Sequence, residues 1–205
     1  DTDTDTDTDT DTDTDTDTDT DSDTDTGTGS GFVPAWAYLK SPNNSNSDQL
    51  GAALAMSGDT IVVGAFGESS DTTAIINGDD LSSTNDDEPS TGAAYVYTWS
   101  STDQWQLQSY LKAPNAAWAV DPAQNQDYYG FAVDIDADTI VVGAYDECSD
   151  TNAIVHGSDL SSTNDTGDDH GAVYVYRRSG TDWAHEAYLK APNAAAFQRF
   201  GMDVA

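Results

Sequence analysis

Apolar positions in this chain come in short runs. The most regular is Thr-Ile-Val-Val-Gly-Ala, at Thr60–Ala65 and again at Thr139–Ala144. Its first four residues are β-branched, stiff at χ1 and suited to a pleated, buried surface. A continuous apolar run of this length between turn residues predicts a strand covered on both faces. The Gly-Ala end lets a neighbouring backbone come close.

Around each run the pattern predicts four strands, at 51–57, 60–65, 93–98 and 105–113, then at 130–136, 139–144, 172–177 and 183–191. A partial copy of the fourth strand stands at 36–41, and the first strand begins again at Gly201. Gly58-Asp59 and Ala137-Asp138 read as tight hairpin turns, and Ser/Thr/Asp/Gly clusters at 100–103 and 179–182 separate the last two strands. No segment of helical period competes. Loops of about 26 residues, at 66–91 and 145–170, join the second strand to the third. Loops that long are uncommon unless functional.

The order is duplicated. Shifted by 79 residues, 60–103 matches 139–182 at 28 of 44 positions. Gly-Ala-Ala-Tyr-Val-Tyr at 92–97 returns as Gly-Ala-Val-Tyr-Val-Tyr at 171–176, and Tyr-Leu-Lys occurs at 38–40, 110–112 and 188–190, each followed by a small residue, Pro and Asn. Four antiparallel strands at a long period predict an all-β chain of β-propeller blades. Two blades, about 50–113 and 129–191, would be complete, with parts of two more on either side. Since a closed ring needs about 4–8 blades, the expectation is a fragment or an open arc. Tyr95, Tyr97, Tyr174, Tyr176 and the Trp residues are expected to fill the space between blades. Ile75, Ile76, Leu81, Ile154, Val155 and Leu160 are expected to anchor the long loops.

Residues 1–26 are repeated Asp-Thr with Ser22 as the exception, and Gly27, Gly29 and Gly31 follow. Like charges at every second residue, with nothing apolar to bury, predict a disordered acidic linker over 1–31 ahead of a propeller segment over 32–205. This N-terminus lacks the basic and apolar regions of a signal peptide and reads as the middle of a longer chain. The formal charge is −32, and residues 27–205 alone carry −19. Such a surface argues against binding nucleic acid and against docking on an anionic membrane. No run of 18 apolar residues exists, so no membrane insertion is expected. Cys148 lies beside Asp146, Glu147 and Asp150, a negative field that predicts an unreactive thiol.

These pieces together resemble the FG-GAP repeat, the unit of the integrin α-chain β-propeller, in its bacterial extracellular form. Leu50-Gly51, Tyr129-Gly130 and Phe200-Gly201 stand for the Phe-Gly element, and Gly64-Ala65-Phe66 and Gly143-Ala144-Tyr145 for Gly-Ala-Pro, without the proline. The resemblance covers residues 32–205 and implies noncatalytic adhesion or ligand binding outside the cell, with a protein or glycan partner at the cell surface or matrix. Integrin blades often carry a Ca²⁺ loop between the first two strands. In the second copy here that place holds Asp134, Asp136 and Asp138.

The residues themselves offer a second place for Ca²⁺. The long loops bring Asp71, Asp79, Asp80 and Asp86 in one copy, and Asp150, Asp159 and Asp165 in the other. Hard cations take 6–8 oxygen ligands, which loop carboxylates, amides and carbonyls can supply. An enzyme acting on glycans through paired carboxylates is the competing reading, and a purely structural surface spacer is the third. His156, His170 and His185 stand singly and read as surface side chains. There is no phosphate loop, zinc spacing or nucleophile elbow. Asn43-Asn44-Ser45 and Asn164-Asp165-Thr166 fit a glycosylation sequon.

Overall fold

The computed structural model describes residues 37–102, 104–116, 126–160 and 169–205. All of them belong to one compact unit, and the expected acidic linker over 1–31 lies outside them. Among them there is no helix.

Among the described residues, ten strands form two antiparallel sheets. The first contains β1 (Ala53–Ser57), β2 (Thr60–Ala65), β3 (Ile76–Asn77), β4 (Ala93–Trp99) and β5 (Trp105–Leu111). The second contains β6 (Tyr129–Asp136), β7 (Thr139–Ala144), β8 (Val155–His156), β9 (Ala172–Ser179) and β10 (Asp182–Leu189). The strand orders are β1-β2-β4-β5-β3 and β6-β7-β9-β10-β8, so the same meander is built twice.

Each sheet therefore has five strands, not the four that alternation predicted. The added strand comes from the long loop. It turns back along the sheet edge and pairs Ile76 with Tyr110 in one copy and Val155 with Tyr188 in the other. Ile75, Ile76 and Val155 thereby reach the core, and Leu81 and Leu160 are buried farther along their loops. Ile154, expected beside Val155 as an anchor, precedes β8 and is 56% exposed instead, although its counterpart Ile75 packs on the core. Among the described residues of the expected flanking copies, 37–41 form no strand, and Phe200 makes one isolated bridge.

One core lies between the sheets. Val62, Val96 and Leu111 of the first meet Val133, Ile140, Tyr174, Tyr176 and Trp183 of the second. Each large apolar side chain removed from water contributes about 1.5–3 kcal/mol. A second core covers the other face of the first sheet, where Tyr95, Tyr97 and Tyr110 pack under Leu39 and Leu50. Both faces of β2 are thus covered and all six of its residues are buried, as its sequence predicted. In β7, Thr139 and Val141 are only half-buried, because on that face the second sheet meets little more than the segment around Phe200–Ala205.

The sheets are joined through backbone. Gly92 and Tyr129 form a parallel bridge, and Gly171 and Phe200 form its counterpart. A Cβ on Gly143 would lie 2.0 Å from the carbonyl oxygen of Gly201, so the Gly of the repeated strand marks a close backbone approach. Polar contacts reinforce the seam. Trp183 Nε1 donates to Gln108 Oε1 (2.8 Å), and Arg178 reaches Thr60 Oγ1 (2.9 Å) while lying over the Trp183 ring.

Candidate functional site

The most concentrated chemistry lies at the foot of the long loops, inside the protein. Glu68 follows β2 and is buried. One of its oxygens takes the ammonium of Lys112 at 2.6 Å, and the other takes the amide of Asn43 at 3.2 Å. The backbone N–H of Ser70 adds a third bond, at 3.2 Å. Lys112 also donates to Thr91 Oγ1 at 2.7 Å. The carbonyl of Asn43 accepts the hydroxyl of Tyr95 at 2.7 Å.

The second unit repeats the core of this cluster with the equivalent residues. Glu147 takes Lys190 at 2.5 Å on one oxygen and Asn115 at 3.1 Å on the other. Ser149 N–H donates to it at 3.2 Å, and the Tyr174 hydroxyl meets the Asn115 carbonyl at 2.7 Å. Tyr188 adds a hydroxyl to Glu147 at 2.9 Å. The copies differ beside the lysine, since the position of Thr91 becomes His170.

Local sequence explains the placement. In Tyr-Leu-Lys-x-Pro-Asn the lysine directly follows the strand, and proline turns the chain so that Asn115, three residues beyond Lys112, meets the next unit. Lys112 therefore serves its own unit's Glu68, while Asn115 of the same motif serves Glu147 of the next.

Both lysine side chains are fully buried. A buried charge is tolerated only when paired and hydrogen-bonded, and these glutamates provide both. Burial draws the Lys112 ammonium below its usual range, against the pull of Glu68. Burial also pushes the Tyr95 and Tyr174 hydroxyls well above theirs, with the Glu68 and Glu147 charges adding to the shift, so both remain proton donors.

The predicted cation ligands lie elsewhere. Asp71, Asp79, Asp80 and Asp86 are exposed on the first loop, and Asp150 and Asp159 on the second. Asn85 holds the first loop in shape, accepting the Asp71 N–H at 2.9 Å and donating to Asp87 at 2.9 Å. Asp80 receives the Ser82 N–H at 3.1 Å, and hydrogen bonds from Ser82 hold its carboxyl below the usual range. Asp165 lies outside the described residues. On the hairpin, Asp134 is half-buried, Asp136 is exposed, and Asp138 is paired with Arg178 at 2.8 Å. Among the described residues, no three acidic, imidazole or thiol groups converge to hold a metal ion.

Asp86 does line an open cavity of about 510 Å³ between the first loop and the segment that carries Asn43. Leu81 is buried there, and Asn44, Ser82, Thr84 and Asn85 supply polar groups.

Two histidines depart from expectation. His170 and His185 are buried, and His185 Nδ1 is 2.7 Å from the Gly157 carbonyl. Only His156 is exposed. Sequence reading also passed over the Glu–Lys–Asn cluster, because lysine reads as a surface residue. A signal was present, since Glu68 and Glu147 align at the 79-residue shift within loops otherwise rich in Asp, and each Tyr-Leu-Lys carries the same Pro-Asn. No protein-family model matches the chain, and no curated protein matches it either.

Proposed function

We propose that this chain is a noncatalytic segment of a secreted or cell-surface protein. In this reading the two sheets are consecutive blades of an FG-GAP-type β-propeller, and the long loops and the cavity beside Asp86 meet a protein or glycan ligand. The observation that carries the reading is the repeated Glu–Lys–Asn junction. The groups best able to move protons are sealed inside it and serve to fasten one unit to the next. What faces solvent is an acidic loop on a rigid sheet, the arrangement by which repeat scaffolds present binding surfaces.

The cavity suits hydroxyl-rich ligands. Asn44, Asn85 and Asp86 offer donors and acceptors, and Leu81 offers an apolar floor. Ca²⁺ is, in this reading, a loosely held companion of the exposed loop carboxylates. The test is to apply the full chain to immobilised glycans and matrix proteins, with and without Ca²⁺. Saturable retention that falls at least several-fold in Asn44→Ala and Asp86→Ala supports the proposal. Turnover of a glycan that one carboxylate substitution abolishes would replace it with the enzyme reading, and no retention on any surface would leave the spacer.

A further inference from the structure

We propose that each unit is closed by an intramolecular amide bond, from Lys112 Nζ to Asn43 Cγ in the first and from Lys190 Nζ to Asn115 Cγ in the second, with ammonia expelled. The buried clusters hold every group this reaction needs. The amine is the nucleophile and the side-chain amide is the acceptor. Both hang on the two oxygens of one carboxylate, Glu68 at 2.6 and 3.2 Å or Glu147 at 2.5 and 3.1 Å. A tyrosine hydroxyl already donates to the amide oxygen at 2.7 Å in both units.

The proton and bond changes balance without any co-reactant. Glu68 accepts a proton from the Lys112 ammonium, which leaves a free amine. The amine rotates from the carboxylate onto Asn43 Cγ and forms the new C–N bond. Negative charge then develops on Oδ1, where the Tyr95 hydroxyl is already aimed. Glu68 returns the proton to Nδ2, the old C–N bond breaks, and ammonia leaves, taking up the amine's second proton. No atom is oxidised or reduced. In the second unit Tyr174, Glu147, Asn115 and Lys190 take the same parts.

Three features favour this chemistry over a permanent ion pair. The lysines and glutamates are sealed from water, which strengthens the charge interactions within each cluster. Burial already favours the neutral amine of Lys112. Finally, the reacting groups are held together by folding itself, which supplies the proximity that a free amine and a free amide lack.

The topology gives the bond a use. Asn43 precedes β1 and Lys112 follows β5, so the first bond encloses the whole first sheet. Asn115, where the second enclosure starts, lies just beyond Lys112 in the same motif. Tension along the chain would pass from bond to bond through that short piece and leave the sheets unloaded.

Mass spectrometry of the folded, full-length protein tests this. The intact mass is expected to fall short of the sequence by two ammonias. A protease digest is expected to give two branched peptides, one joining Asn43 to Lys112 and one joining Asn115 to Lys190. Glu68→Gln and Glu147→Gln are each expected to restore one ammonia. Should those variants fail to fold, the digest of the unaltered protein still decides. Full mass overturns the proposal. So does a loss of ammonia with only linear peptides, the mark of a succinimide at an asparagine.

Discussion

The carbonyl oxygen of Gly130 stands 1.9 Å from where a Cβ on Gly64 would lie. Backbone of the second unit thus occupies the volume that any side chain on the first would need. Gly64→Ala must push the two sheets apart, and overpacking of this kind costs about 1–3 kcal/mol. The equivalent Gly143→Ala meets the Gly201 carbonyl, on a segment held by one β-bridge at Phe200 and by the contacts of Arg199 rather than by a full sheet, and that segment yields more readily. Urea unfolding should therefore show a clear loss for Gly64→Ala and a smaller one for Gly143→Ala. Equal losses would contradict this account of the seam.

Asn115 and Asn193 occupy the same place in successive motifs but differ in surroundings. Asn115 bonds Glu147 and Tyr174 across the seam, whereas Asn193 is exposed. Asn115→Ala leaves a buried carboxylate oxygen and a buried hydroxyl short of partners, at a cost of about 3 kcal/mol. Asn193→Ala should stay within about 0.5 kcal/mol, as surface changes do. Denaturant midpoints of the two variants measure the contrast.

Asp146 gives a pH dependence of definite sign. Burial, then the neighbouring charge of Asp169, push its carboxyl up to about 6, although Arg199 lies 3.1 Å away. The folded state thus holds this proton more tightly than the unfolded chain does. Its contribution to stability falls as pH rises from about 4 to about 6 and is flat above that. Asp146→Asn removes the penalty, so the variant should be more stable than the parent at pH 7, by about 1 kcal/mol after solvent screening. The gap should close by pH 4. Thermal melts across that range would show it, and a variant less stable at pH 7 would refute it.

Cys148 should resist alkylation in the folded protein. Its thiol is buried and raised to about 11, first by burial and then by the charges of Asp127, Asp169 and Glu147. Maleimide should react on unfolding and hardly at all before. Sequence reading named the negative field, but burial is the larger cause.

The strand pattern was legible because β-branched runs and turn residues are local signals. β2 and β7 are where Thr-Ile-Val-Val-Gly-Ala placed them. β3 and β8 were not legible, since two residues carry no period and their pairing depends on a strand far away in sequence. The glutamate–lysine clusters were hidden for a related reason. Nothing near Lys112 or Lys190 announces that the chain will seal them, and only the alignment of repeats sets Glu68 beside Glu147. His170 and His185 were misread because burial of a lone imidazole depends on which strands come to flank it.

The contact at Gly64 and Gly130 is made by atoms that every residue type shares, and glycine is the single demand it places on a gene. A copy inserted at this period would carry the glycines of that contact with it, while the side-chain contacts of the seam would not repeat, since Trp99 stands where Arg178 does in the second unit.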